Sequence, residues 1–544
     1  MDFQRIFLFV IFFFSVFLLW EGWQKEQNPV PQTFSADSTP VASDALQTDA
    51  KQKLAQTAAP ITKISQAGQK FVVKTDFFRV EINSVGGDIQ HIEFLKHFDT
   101  NDKNKPFILF QNEEGKTYIA QTGLLGPGLP THNTLFSSEA ASFELAEGKE
   151  EVEVRLTAKS EAGYKISKIF VFHRSSYLID VSYEIQNSSP LALETSAYYQ
   201  LVRDNTEPEG GSKFVPTYTG PAIYSELEKF QKIDFSSIEK NKAALPKPAD
   251  NGWVGMLQHY FVSAWLPKDN IQREFYTKKL DNNLYSVGLI LPIAKIEAGS
   301  SGIINVPLYV GPAQSSLDSV APGLGLTVDY GFLTIIAKPI FWLLTVIHGW
   351  VLNWGLAIII LTILIKLAFF PLSAASYRSM AKMRIVAPKL AKIKEQYGND
   401  RERLNREMMD LYKTEKINPL GGCLPVLIQI PVFIALYWSI LASVEMRYAP
   451  FYGWITDLSR PDPYYILPII MGISMVIQGK LNPTPPDPMQ AKLMQIMPVA
   501  FSVVFFFFPA GLVLYSVVNN VLSIAQQWTI TRNAEAETKG VAKA

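Results

Sequence analysis

The chain has 544 residues, 48% hydrophobic and only 18% charged, against roughly 25% charged in an ordinary soluble domain. Lys+Arg and Asp+Glu are equal at 50 each, which gives no support to nucleic-acid binding as the main task. The single cysteine, Cys423, excludes an intramolecular disulfide. The apolar excess is uneven: it collects at 6–20 and again after 332, while 25–320 reads like a soluble protein. A polar body between apolar ends predicts a membrane protein with a large aqueous domain.

Residues 1–24 read as an N-terminal signal-anchor span. The apolar run 6–20 covers roughly 22 Å, short of the ~30 Å hydrocarbon core, and Trp20 and Trp23 extend it with interface-seeking rings. A cleaved signal peptide is the rival, because Arg5 precedes the run. The following EGWQKEQ holds no small-x-small cleavage site, which favours the anchor. Residues 25–60, rich in Gln, Ala, Ser, Thr, Pro and Asp, predict a flexible linker.

Residues 61–320 predict an all-β sandwich. Tyr177, Ile179, Val181, Tyr183 and Ile185 alternate with Asp180, Ser182 and Glu184, the period of a strand with one wet face. FFRVEIN at 77–83 and VEVRLTA at 152–158 repeat it, and Gly86-Gly87, Asn187-Ser188 and Gly210-Gly211 mark turns. The domain carries no metal-ligand cluster and no hydrolase or phosphate-loop motif, and the whole chain has six histidines. No cofactor is expected.

Residues 321–350 read as a connector with an interfacial amphipathic helix at 332–349. A second span follows at 351–372. Three more apolar segments lie at 419–443, 464–479 and 493–530. The last is too long for one helix and divides at Pro509-Ala510-Gly511. Residues 419–530 thus hold spans 3–6, for six in all, and 531–544 form a tail. Eleven Lys/Arg fall in the loop 373–418 and two, Arg447 and Arg460, in 444–463. The positive-inside rule puts the first loop and both termini in the cytoplasm, and 25–350 mainly outside.

The basic loop predicts a helical hairpin. Met380, Met383, Leu390 and Ile393 form one apolar stripe, and Leu404, Met408 and Leu411 a second. Pro388 is expected to kink the first helix. Asn399, with Glu402 three residues on, is expected to cap the second. Such a hairpin is either a solvated topology signal or a platform for an anionic partner, lipid or ribosomal RNA.

One ammonium, Lys366, sits inside the apolar stretch LTILIKLAFFPL. It lies six residues before Leu372, roughly 9 Å by helical rise, so it either snorkels to the interface or serves a wet site. Other spans carry polar groups too. Thr362 is one turn before Lys366, and Gln429 interrupts the segment 419–443. Tyr515, Ser516, Asn519, Asn520, Ser523, Gln526 and Gln527 mark the last span. Ser516, Asn519/Asn520, Ser523 and Gln527 recur at helical spacing. Such groups are costly facing lipid but not facing a shared wet cavity, although some serve only to join helices.

MAKMR at 380–384, NPLGGCLP at 418–425, IQIP at 428–431, DPYYILPI at 462–469, DPMQAKLM at 487–494 and FPAGLVLY at 508–515 stand in this order. They resemble the YidC family of membrane protein insertases. GWVGMLQHYFVSAW at 252–265 and YVGP at 309–312 resemble the periplasmic domain of its Gram-negative members. The resemblance implies insertion and folding of nascent inner-membrane proteins, alone or beside the Sec translocon, without nucleotide hydrolysis. It implies a five-helix core around a hydrophilic groove carrying a cation, and a periplasmic sandwich similar to sugar-binding folds. The cation falls on Lys366, where the family usually has Arg. The groove is then expected at Lys366, Thr362, Gln429, Tyr515, Ser516, Asn519, Asn520 and Ser523. A hydrophobic slide is expected from Phe433, Leu436, Met471, Met475, Met494, Met497, Phe501 and Phe505, where ordinary packing is the alternative for each. Expected partners are nascent inner-membrane proteins, the Sec translocon, the lipid bilayer and, through the basic loop, the ribosome. Two other classes stay open: a transporter or channel using the lysine, and an envelope sugar-binding protein anchored by its spans.

Overall fold

The computed structural model describes residues 68–113, 115–159, 163–208, 217–398, 400–415, 424–482 and 488–541. The expected anchor at 1–24, the linker at 25–60, Gly210-Gly211, Asn399 and Cys423 lie outside the described residues. The chain divides into two compact units at Val328/Asp329.

In the first unit, eighteen strands between Lys70 and Pro312 form two nine-stranded sheets, the expected β-sandwich. The strand Leu178–Asn187 pairs antiparallel with both Tyr164–His173 and Ser301–Pro312. Its alternation is realised: Ile179, Val181, Tyr183 and Ile185 are fully buried on one face. Each contributes on the order of 2 kcal/mol relative to exposure. Asn187 ends the strand by accepting from Ser189 N at 3.0 Å and donating to Ile296 O at 3.1 Å. Gly86 turns the chain at φ +81, where a Cβ would meet the His132 carbonyl at 2.4 Å. The unit runs past the expected boundary at 320 because later residues pack back on it. Trp253 Nε1 donates to Pro322 O at 3.0 Å.

Buried cations were not legible in the strand pattern. Lys168, 1% exposed, lies 4.0 Å from Asp88, 2% exposed, and donates to Gly86 O at 3.0 Å. Gln121 donates to the other Asp88 oxygen at 2.8 Å. Burial pushes the Asp88 carboxyl up to about 7 and the Lys168 ammonium down to about 8. Arg273 is fully buried and donates to five carbonyls, of Gly252, Asp250, Pro267, Lys268 and Ile271.

The second unit is helical: α1 (Thr334–Val351), α2 (Trp354–Ala368), α3 (Phe370–Tyr397), α4 (Arg401–Thr414), α5 (Leu424–Ala442), α6 (Ile466–Leu481), α7 (Pro488–Val504) and α8 (Ala510–Val541). Asn353 starts α2 by accepting from Leu356 N at 3.0 Å. The chain then turns by 66° between α2 and α3, with Pro371 in the first turn of α3. The expected straight span 351–372 is therefore replaced by the 15-residue α2, about 22 Å long. Lys366 sits in its last turn, not 9 Å inside it. The expected division at Pro509 holds, since α7 gives way to a short 3-10 turn, Phe505–Phe507, before α8 begins. Helix α8 packs against α2, α3, α5 and α6.

Among the described residues, α1 is the helix long and apolar enough to cross a membrane by itself. Its Ala337, Phe341, Leu344 and Ile347 are buried, while Trp342 and Trp350 are exposed. Helices α6 and α7 expose Ile469, Ile473, Ile477, Ile496, Val499 and Phe501. That much exposed apolar surface suits lipid rather than water.

Candidate functional site

Lys366 does not swing away along its own helix. Its Nζ donates to Ser523 Oγ of α8 at 2.6 Å. Among the described residues no carboxylate lies within 4.0 Å of it. Beside it is a cavity of about 30 Å³ lined by Ile365, Lys366, Phe369, Leu372, Ser373, Gln429, Val432, Tyr515 and Asn519, room for about two waters. Four elements, α2, α3, α5 and α8, thus converge on one ammonium.

The expected groove set divides. At 100° per residue, the α8 positions spread from Tyr515 through Asn519, Ser523 and Ser516 to Asn520 over about 140°. That arc is too wide for one neighbour. Its Tyr515 and Asn519 edge lines the cavity with Gln429 and Lys366. Its far edge joins α6: Asn520 donates to Ser474 Oγ at 2.7 Å, and Gln527 to Asn482 Oδ1 at 2.9 Å. Ser516 donates to Leu512 O at 2.8 Å and Thr362 to Ile358 O at 2.7 Å, both buried and spent on their own helices. Ser474 and Ser373 were missed, because a lone hydroxyl in an apolar or basic helix carries no periodic signal.

The slide residues divide as well. Met497 and Phe501 are exposed on α7, and Phe433 and Met475 are half-buried. Leu436, Met471 and Phe505 are buried, and Phe433 rests near Tyr515 with ring centroids 6.5 Å apart. The side chain of Met494 lies outside the described residues.

The hairpin forms from the expected stripes. Met408 and Leu411 of α4 pack with Met383 and Tyr412 against Val386 and Leu390 of α3, each 4% exposed. Helix α3 runs unbroken through Pro388. The cap of α4 is Asp400, which accepts from Arg403 N at 3.1 Å, one residue later than the expected Asn399. The nearest backbone amide two residues into the helix selects it.

At the other end of α8 the loop 444–465 closes over the helix start. Leu458 O accepts from Gly511 N at 2.9 Å and Arg460 O from Ala510 N at 2.6 Å, satisfying donors that a helix start leaves open. Asp462, 1% exposed, holds the loop by accepting from Trp454 Nε1 at 3.0 Å and Leu467 N at 2.7 Å. A Cβ on Gly355 of α2 would meet the Phe451 ring at 2.1 Å, so loop and helix are in close contact. Ser523 is 13 residues from Ala510, about 20 Å along α8.

Residues 70–343 match the family model described as the YidC periplasmic domain, and 346–537 that of the 60Kd inner membrane protein. The chain is 54% identical to a Nitrosospira multiformis protein named membrane protein insertase YidC, over 100% of this chain and 99% of that one. It is 53% identical to a protein of the same name from Methylobacillus flagellatus, over 100% of each. A crystal structure of an active YidC insertase with its first transmembrane domain resolved is 18% identical, covers 88% of this chain and 98% of that chain, and superposes with a TM-score of 0.39.

Proposed function

Since the chain belongs to the YidC family of membrane protein insertases, we propose that it inserts nascent inner-membrane proteins by attracting acidic side chains of their polar flanks to the Lys366 ammonium. The carrying observation is an ammonium beside a cavity that Gln429, Tyr515 and Asn519 also line, with no carboxylate within 4.0 Å among the described residues. Such a cation attracts acidic residues of a passing flank. The attraction stays weak because water enters the cavity, so the client can leave. Tyr515, Asn519 and Gln429 offer hydrogen bonds to the client backbone as it loses water. Its apolar segment slides along the exposed Met497 and Phe501 of α7.

Six spans complete the reading: the N-terminal anchor and α2, α5, α6, α7 and α8. Helix α1 lies at the interface with Trp342 and Trp350 toward the headgroups. Were it to cross, the basic hairpin and the β-sandwich would share one side, against the charge bias of the loops. Both termini and the hairpin are then cytoplasmic, and the sandwich periplasmic. The protein works without nucleotide hydrolysis, alone or beside the Sec translocon, and the basic hairpin receives the ribosome or the nascent chain.

The test uses paired clients that differ only in acidic residues of the translocated flank, at matched insertase levels. Lys366→Arg keeps activity. Lys366→Ala impairs the acidic client by about tenfold, one charge-assisted interaction, and spares the neutral one. Equal insertion of both clients by wild type and Lys366→Ala would leave Lys366 a snorkelling residue.

A further inference from the structure

We infer that Ser523 is the positioning residue that keeps the Lys366 ammonium turned into the cavity. The inference rests on the groove reading above and gives Ser523 a role on the ammonium, not on the client.

A lysine carries its charge on four flexible carbons and gives up much rotamer freedom when fixed. In the last turn of α2, with the 66° bend just beyond, its natural course is outward to the interface. Backbone acceptors at that helix end are partly taken, since the Phe369 amide bonds the Ile365 and Leu367 carbonyls. Ser523 supplies the alternative across the gap to α8.

The Ser523 hydroxyl is oriented for this. It has one proton, and it gives it to Asn519 O at 2.7 Å, one turn back on α8. Its lone pairs are thereby left as acceptors only. One accepts from Lys366 Nζ at 2.6 Å. Ser523 is 3% exposed, so bulk water does not take its place beside the ammonium.

The ammonium has three protons and uses one on Ser523. Two remain for the cavity lined by Gln429, Tyr515 and Asn519. A client carboxylate can take them without displacing Ser523. The serine therefore acts through Lys366 and touches no client.

The experiment measures insertion of the same acidic and neutral client pair by the full-length protein in proteoliposomes. Ser523→Ala lowers insertion of the acidic client about three- to tenfold, the range of a typical net hydrogen bond. The neutral client is unchanged. Ser523→Thr keeps the hydroxyl and its back-bond, and restores the acidic client. In a Lys366→Ala background, Ser523→Ala adds nothing. Equal losses for both clients, or a further loss on top of Lys366→Ala, would make Ser523 a packing residue and overturn the inference. An unaffected Ser523→Ala in a protein whose Lys366→Ala variant discriminates the clients overturns it while leaving the groove intact. If Lys366→Ala fails to discriminate, the groove reading falls and takes this inference with it.

Discussion

Replacing Met408 and Leu411 together by Asp should open the hairpin while leaving the spans folded. Both side chains pack against Val386 and Leu390, which are 4% exposed. Losing two half-buried apolar side chains costs about 1–1.5 kcal/mol each. Setting a carboxylate against that surface without a partner adds about 1–3 kcal/mol each. The total, about 4–9 kcal/mol, exceeds what holds α4, a 14-residue helix that is marginal alone. The Lys389–Glu415 pair at 2.6 Å is largely exposed on the lysine side, and contributes about 1 kcal/mol or less. Met409 provides the control. It is 51% exposed on the same helix, so Met409→Asp adds a charge without entering the packed seam. Hydrogen exchange of amides 401–414 in the membrane-embedded protein reads the fold, and client insertion reads the function. The double variant should lose protection and insert about tenfold less, while Met409→Asp keeps both. Normal insertion by a protein with an unprotected α4 would refute a shape-dependent platform, and equal damage from Met409→Asp would assign the effect to charge.

Two further expectations concern the β-sandwich within the full-length protein. Arg273→Lys keeps the charge but has three donors for five buried carbonyls, so thermal unfolding should show a loss of about 2–4 kcal/mol from the two left unpaired; an unchanged melting temperature would contradict this. For the buried pair, Asp88→Asn or Lys168→Met alone should each cost about 3–5 kcal/mol, and the double variant much less. Because burial raises Asp88 from 3.8 to about 7, its contribution is present below its unfolded value and fades as pH rises through the folded one. Wild type should lose up to ~1.4 kcal/mol per pH unit from this group between about 4 and 7. The double variant should be flatter there, and parallel profiles would refute the assignment.

What the sequence disclosed depended on whether a signal repeats. The alternation around Val181 and Tyr183 repeats every two residues, so the sandwich was legible. The seam of Met408 and Leu411 repeats at helical spacing, so the hairpin was too. The polar arc of α8 was visible as an arc. Its division between cavity and α6 was not, because a helical wheel gives angles and not neighbours. Ser474, the partner of Asn520, is a single hydroxyl in a largely apolar helix. Lys168 and Asp88 stand eighty positions apart and meet only when two sheets face each other. Leu436 and Phe505 look in sequence like Met497 and Phe501, and only packing separates the buried from the exposed.

The loop over the start of α8 bears on energy conservation. Its bonds to Ala510 and Gly511 run between main-chain atoms, so they do not depend on which client occupies the other end, about 20 Å away along α8. On the proposed function, a cap that holds while clients come and go would deny protons and ions a path beneath them. The cell could then admit clients of very different length and charge through one device without discharging the membrane potential on which the rest of its transport depends.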